Sequence, residues 1–129
     1  MRKVVFFMLK SWYFYKMTSD DLNVNVLAFF EEIEKYYGSK TEITSGLYTN
    51  LEDFDSHNIT WNLSEFDLIR AAYRKIGERF MMEGSSMYVE ISAKNILSFE
   101  KKGRNKFEFI EQYSPSVYRM TTIKFHYKY

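Results

Sequence analysis

The segment SEFDLIRAAYRKIGERFMMEG (residues 64–84) carries the strongest periodicity in the chain, and the fold class turns on it. Ser64 followed by Asp67 has the spacing of a capping box, with Asp in place of the longer Glu or Gln. Phe66, Ile69, Ala72, Tyr73, Ile76 and Phe80 recur at three- and four-residue steps, which is one face of a helix. Asp67, Arg70, Arg74 and Glu78 fall opposite, with Arg74 and Glu78 four apart. Such a pair stabilises a helix by only about 0.2–0.5 kcal/mol, so the apolar stripe is what places it. Gly84 follows as a left-handed stop. The spacing predicts an amphipathic helix lying on a sheet that the rest of the chain supplies.

On the C-terminal side the pattern is strand. Met87, Val89, Ile91 and Ala93 alternate with Tyr88, Glu90 and Ser92, and Ile96 to Phe99 extends that strand past a bulge near Lys94 and Asn95. Lys101 to Lys106 reads as a hairpin turn, with Phe107, Phe109 and Tyr113 on the returning strand. Ser114-Pro115-Ser116 turns the chain again into a long strand from Val117 to Tyr129. On that strand Tyr118, Met120, Thr122, Lys124, His126 and Lys128 form the outward side, apolar enough to suggest a homodimer through the sheet.

On the N-terminal side, Ile59, Trp61 and Leu63 lie at period two on a short strand, and Thr41 to Thr49 makes another with Ile43 and Leu47 on one face. An acidic loop holding Glu52, Asp53 and Asp55 joins them. Thr18 and Asp21 repeat the capping-box spacing, and Leu22, Val26, Phe29, Ile33 and Tyr36 form the stripe of a helix that Gly38 ends. Glu31, Glu32 and Glu34 lie off that stripe. Val4 to Leu9 is a six-residue apolar run, too short for a signal peptide's core or a membrane span, and reads as a buried strand. The predicted order is β-α-β-β-α-β-β-β: a single α+β domain, residues 1–129, with a largely antiparallel sheet of about six strands and two helices.

The residue inventory argues against most enzymes. Cysteine is absent, which removes disulfides, thiol nucleophiles and zinc–thiolate sites and favours the cytoplasm. Two histidines, five scattered glycines and no G-x-S-x-G context leave no nucleophile with a base, and no phosphate loop. Asp53, Asp55 and His57 alternate in one loop but lack the glycine and distal glutamate of a calcium loop. Glu100-Lys101-Lys102 has an E-x-K spacing seen in nucleases, with Glu90 the nearest preceding acid on that strand, yet the triplet is common by chance. Two glycosylation triplets, at Asn58 and Asn62, read more simply as strand and helix-cap residues. No metal, cofactor or membrane is expected.

The charges are uneven. Residues 18–67 hold eleven acids and two lysines, a net −9; the remainder holds sixteen bases and six acids, a net +10, within an overall +1. Either the halves neutralise each other or each steers a partner of opposite sign. In the second case the acidic residues Glu31, Glu32, Glu34, Glu52, Asp53 and Asp55 present carboxylates to a basic, nucleic-acid-handling protein, as small phage or mobile-element inhibitors of restriction and CRISPR enzymes are thought to do. The alternative uses Arg70, Arg74, Lys101, Lys102, Arg104 and Lys106 to contact nucleic-acid phosphates, with sheet aromatics stacking on bases.

Overall fold

The computed structural model describes residues 17–49 and 59–127, giving for residues 17–21 and 23 the backbone alone. The chain divides into two units, Met1–Glu32 and Ile33–Tyr129. In the first, α1 spans Met17–Glu32. Val26 and Phe29, three residues apart, are buried and Val24 is exposed, so the apolar spacing is realised as a true helical face. The predicted strand at Val4–Leu9 lies outside the described residues.

The second unit is built almost wholly of strands. A single 3-10 turn, Ile33–Tyr36, opens it, and Gly38, at φ 89°, stops the helical course in the left-handed region that glycine enters without strain. Eight strands follow: β1 (Lys40–Tyr48), β2 (Thr60–Asp67), β3 (Arg70–Arg74), β4 (Arg79–Glu83), β5 (Tyr88–Ser92), β6 (Ile96–Gly103), β7 (Lys106–Ser114) and β8 (Val117–His126). They form a five-stranded sheet, β2-β1-β8-β7-β6, and a three-stranded sheet, β3-β4-β5, antiparallel throughout. The α+β class and the antiparallel pairing agree with the sequence. The count of six strands and two helices does not: among the described residues there are eight strands in two sheets and one α-helix.

The helix predicted over 64–84 is the correction. Ser64 is no cap; β2 runs through it to Asp67. Arg70–Arg74 and Arg79–Glu83 are the arms of a hairpin, with Ala71 opposite Met82 and Tyr73 opposite Phe80. The physical reason lies in which residues are buried. Leu68, Phe80 and Met82 are inside, whereas Ile69 and Ile76, both on the helical stripe, are exposed at 52% and 88%. On either side of the turn the burial alternates with period two, the strand repeat. Gly77, at φ 92°, and Glu78, at φ 49°, supply the left-handed residues that turn the chain back.

A second correction follows at the next junction. Tyr88–Ser92 and Ile96–Gly103 are not one bulged strand: a 3-10 turn at Ala93–Asn95 separates them, and they lie in different sheets. The hairpin at Lys101–Lys106 and the turn at Ser114–Ser116 are where the sequence puts them, and the last strand begins at Val117 as expected but runs to His126. β8 is the central strand of the large sheet, between β1 and β7.

The core of this unit lies on one face of the large sheet, which carries Ile43, Phe107, Phe109, Ile123 and Phe125, and on the Phe80, Met82 and Ile91 face of the small one. Burying each of these side chains stabilises by about 1.5–3 kcal/mol. The Tyr36 ring stacks on Phe125 with centroids 3.9 Å apart, and its hydroxyl donates to Asn105 Oδ1 at 3.1 Å, which ties the β6–β7 turn down. Tyr118, expected to face outward, is buried and stacks on Tyr48 at 5.3 Å. The sticky face inferred for β8 is thus half covered by the fold itself.

Candidate functional site

On the acidic side, Glu31 and Glu32 close α1 and Glu34 sits in the 3-10 turn after it; all three are exposed, and the residues beside them that carry the apolar spacing, Ile33 and Tyr36, are buried. No base stands within ion-pair distance of Glu31 or Glu34 among the described residues. Glu52, Asp53 and Asp55, with His57, lie outside the described residues. Two further acids of the acidic segment are matched within the sheet. Glu65 of β2 meets Lys40 of β1 at 3.3 Å, and Glu42 of β1 meets His126 of β8. The hydrogen bond with His126 is the main reason the Glu42 carboxyl is held below the usual carboxylate range.

On the basic side, the six sequence candidates separate. Arg70 pairs with Glu83 at 2.6 Å, and that bond raises its pKa. Arg74 meets Glu90 at 3.5 Å. These two stand on the small sheet, away from the hairpin turn of the large one. Lys102 bridges Glu100, at 2.9 Å, and Glu108, at 3.7 Å, with its pKa raised chiefly by Glu100. Lys101 lies 5.9 Å from the centroid of the Phe107 ring. Lys101, Lys102, Arg104 and Lys106 are grouped at the exposed β6–β7 hairpin end, where Lys106 faces Lys124 across β7 and β8. The E-x-K acid Glu100 stands opposite Glu108 of β7 and both meet Lys102, while Glu90 belongs to the other sheet.

The most organised polar cluster was not legible in sequence. Glu111 on β7 is fully buried. Arg119 Nε donates to its Oε1 at 2.8 Å and Arg119 Nη2 to its Oε2 at 3.2 Å. The Tyr113 hydroxyl and the Ser92 amide, the latter at 2.7 Å, donate to the same carboxylate. Arg119 Nη2 also donates to the Glu90 carbonyl at 2.7 Å. Burial opposes the charge on Arg119, but its bonds to Glu111 outweigh that and raise its pKa; burial and the Glu111 bond together push the Tyr113 phenol up. The acceptors of Glu111 are thus filled from four directions, which fits a structural clamp rather than a group poised to move protons. A glutamate at an inward position of a strand was the available signal, since a buried carboxylate demands a partner.

Among the described residues no three His, Asp or Glu side chains converge at metal-ligand spacing, and no helix is long and apolar enough to cross a membrane. No family model matches the chain, and no curated protein or solved structure matches it either.

Proposed function

We propose that this chain is a small, non-enzymatic protein-binding domain whose acidic residues, Glu31, Glu32 and Glu34 together with Glu52, Asp53 and Asp55, meet a basic, nucleic-acid-handling protein. A phage or mobile-element inhibitor of restriction or CRISPR enzymes acts in this mode. One observation carries the reading: the exposed carboxylates of Glu31 and Glu34 are not matched by bases within the described residues. Among those residues no base stands within ion-pair distance of either, whereas Arg70, Arg74, Arg79, Lys102 and Arg119 meet glutamates of their own segment, between Glu83 and Glu111. An unpaired exposed carboxylate keeps its field available for steering a cationic partner, and steering of this kind raises association rates by roughly ten- to a thousandfold at low salt.

The test is a charge reversal. Glu31→Lys, Glu32→Lys and Glu34→Lys together lie off the buried positions and leave the fold intact, while capture of a basic protein from host lysate is lost and wild-type capture fades as salt rises. Capture that disappears on nuclease treatment, survives this triple reversal and is lost on reversing Lys101, Arg104 and Lys106 assigns the hairpin turn to nucleic acid and overturns the proposal.

A further inference from the structure

The β3–β4 hairpin sets two arginines against each other. Arg74 ends β3 and Arg79 begins β4, directly opposite across the ladder and so on one face of the small sheet. Like charges in that relation destabilise a sheet. The turn then draws both guanidinium groups to Gly77. Arg79 Nη1 donates to the Gly77 carbonyl and, at 3.4 Å, to the Glu78 carbonyl. The Arg74 guanidinium packs against the same residue: a Cβ at Gly77 would stand 3.4 Å from Arg74 Nη2 and 3.8 Å from its Cζ.

One carboxylate answers both cations, and it does so loosely. Glu90 of β5 stands 3.5 Å from Arg74 Nη2 and 4.0 Å from Arg79 Nε, at or beyond the reach of a good hydrogen bond. Arg70, on the same strand as Arg74, shows the contrast, bound to its own Glu83 at 2.6 Å. Among the described residues Glu78, in the turn itself, pairs with neither arginine, and Arg74 Nε, Arg74 Nη1 and Arg79 Nη2 bond nothing. Two cations against one carboxylate leave a surplus positive charge, with Lys75 next in the chain. Both side chains are reachable from solvent, Arg74 at 50% and Arg79 at 29% exposed.

We propose that this arginine pair is a site for a phosphate dianion, free or as the monoester of a nucleotide, held between Arg74 and Arg79 at the Gly77 turn. A guanidinium presents paired N–H donors that match two oxygens of a phosphate, and a tetrahedral anion has oxygens enough for two guanidinium groups. Its double charge cancels the opposition of the arginines, which the distant Glu90 carboxylate does only in part. The site stands on β3, β4 and their turn. It uses none of the acidic residues of the proposed binding face, so each reading can fail without the other.

Titration of the intact chain with inorganic phosphate, against chloride at matched ionic strength, tests this through the amide signals of Gly77 and Glu78 and the thermal midpoint. Phosphate shifts those signals saturably and raises the midpoint, since a ligand of the folded state stabilises it. Arg74→Gln, a change at an exposed side chain that keeps the wild-type circular dichroism, weakens phosphate binding about tenfold through lost charge-assisted hydrogen bonds. Arg70→Gln removes the same charge from the same strand and leaves the affinity unchanged. Glu90→Gln removes the competing carboxylate and tightens binding, which loss of a purely structural ion pair would not do. Adenosine 5′-monophosphate binding tighter than phosphate makes a nucleotide the source; equal affinity makes the phosphate group sufficient. Phosphate shifts no larger than those of chloride overturn the proposal. Equal losses in Arg70→Gln and Arg74→Gln also overturn it, since they mark general attraction to a basic surface.

Discussion

Gly46 shows how one residue can be fixed by a neighbour remote in sequence. It stands opposite Trp61 on β2 and Met120 on β8, and the Trp61 ring lies over it. A Cβ at this position would sit 2.5 Å from Ile59 Cγ2 and 2.7 Å from Trp61 Cε3. Neither can yield without disturbing the β1–β2 pairing, so Gly46→Ala overpacks the site and destabilises by about 1–3 kcal/mol. Urea unfolding reads that loss, and Trp61 fluorescence reports the displaced ring. A strand glycine signals close approach of another group. What it cannot name is the group, because Trp61 is brought there by strand pairing and not by local sequence.

At the scale of the element, the hairpin of β3 and β4 explains where sequence reading failed. Phe66, Ile69, Ala72, Tyr73, Ile76 and Phe80 satisfy a helical period, and the same segment also satisfies a strand period on each side of Gly77. Ala71 and Tyr73 alternate with arginines, and Phe80 and Met82 alternate with Arg79, Met81 and Glu83. A glycine inside a helix costs about 1 kcal/mol relative to alanine, and that mid-segment glycine was the signal favouring the turn. The tie was broken by tertiary packing: the small sheet buries Met82 and Ile91 completely, a gain no helix of this sequence is offered. By contrast α1 and its Gly38 stop, the extent of β1, and the two C-terminal hairpins were legible, because each is bounded by turn residues, although on β1 burial changes face after Ile43 and leaves Leu47 exposed. Gly77→Ala forces an L side chain to φ 92° and destabilises the hairpin by roughly 1–2 kcal/mol. Gly103→Ala, whose Cβ would meet only Lys106 Cβ at 3.7 Å, changes the urea midpoint little. Equal effects of the two substitutions would remove the turn geometry as the cause.

At the scale of the molecule, the Glu111–Arg119 ion pair of the large sheet reaches the edge strand β5 of the small one. Glu111 and Arg119 do for β5 what a neighbouring strand would do, one accepting from Ser92 and the other donating to the Glu90 carbonyl. Removing one member leaves the other charge buried without its partner, which costs about 3–5 kcal/mol. Arg119→Ala therefore lowers stability by that order, and Glu111→Ala, which removes the acceptor of the Ser92 amide, exposes that amide to hydrogen exchange. The Glu111→Gln, Arg119→Met double variant loses much less than the two single changes added together. Additive losses in that cycle would show that the two residues act independently. Glu111 and Arg119 lie eight apart on antiparallel strands, a spacing that means nothing until the Ser114–Ser116 turn is known to bring them face to face.

The place of β8 has a bearing on how the chain is made. β1 pairs with it from Lys40–His126 to Tyr48–Tyr118, so the middle of the large sheet is filled by the strand that emerges last from the ribosome among those described. Until Val117–His126 has been synthesised, the β1–β2 and β6–β7 hairpins have no strand between them, and both wait with inner edges uncovered. Pairings of such long range close slowly and leave the nascent chain open to misassociation. A message truncated before Val117 therefore yields two unconnected hairpins rather than a slightly smaller sheet.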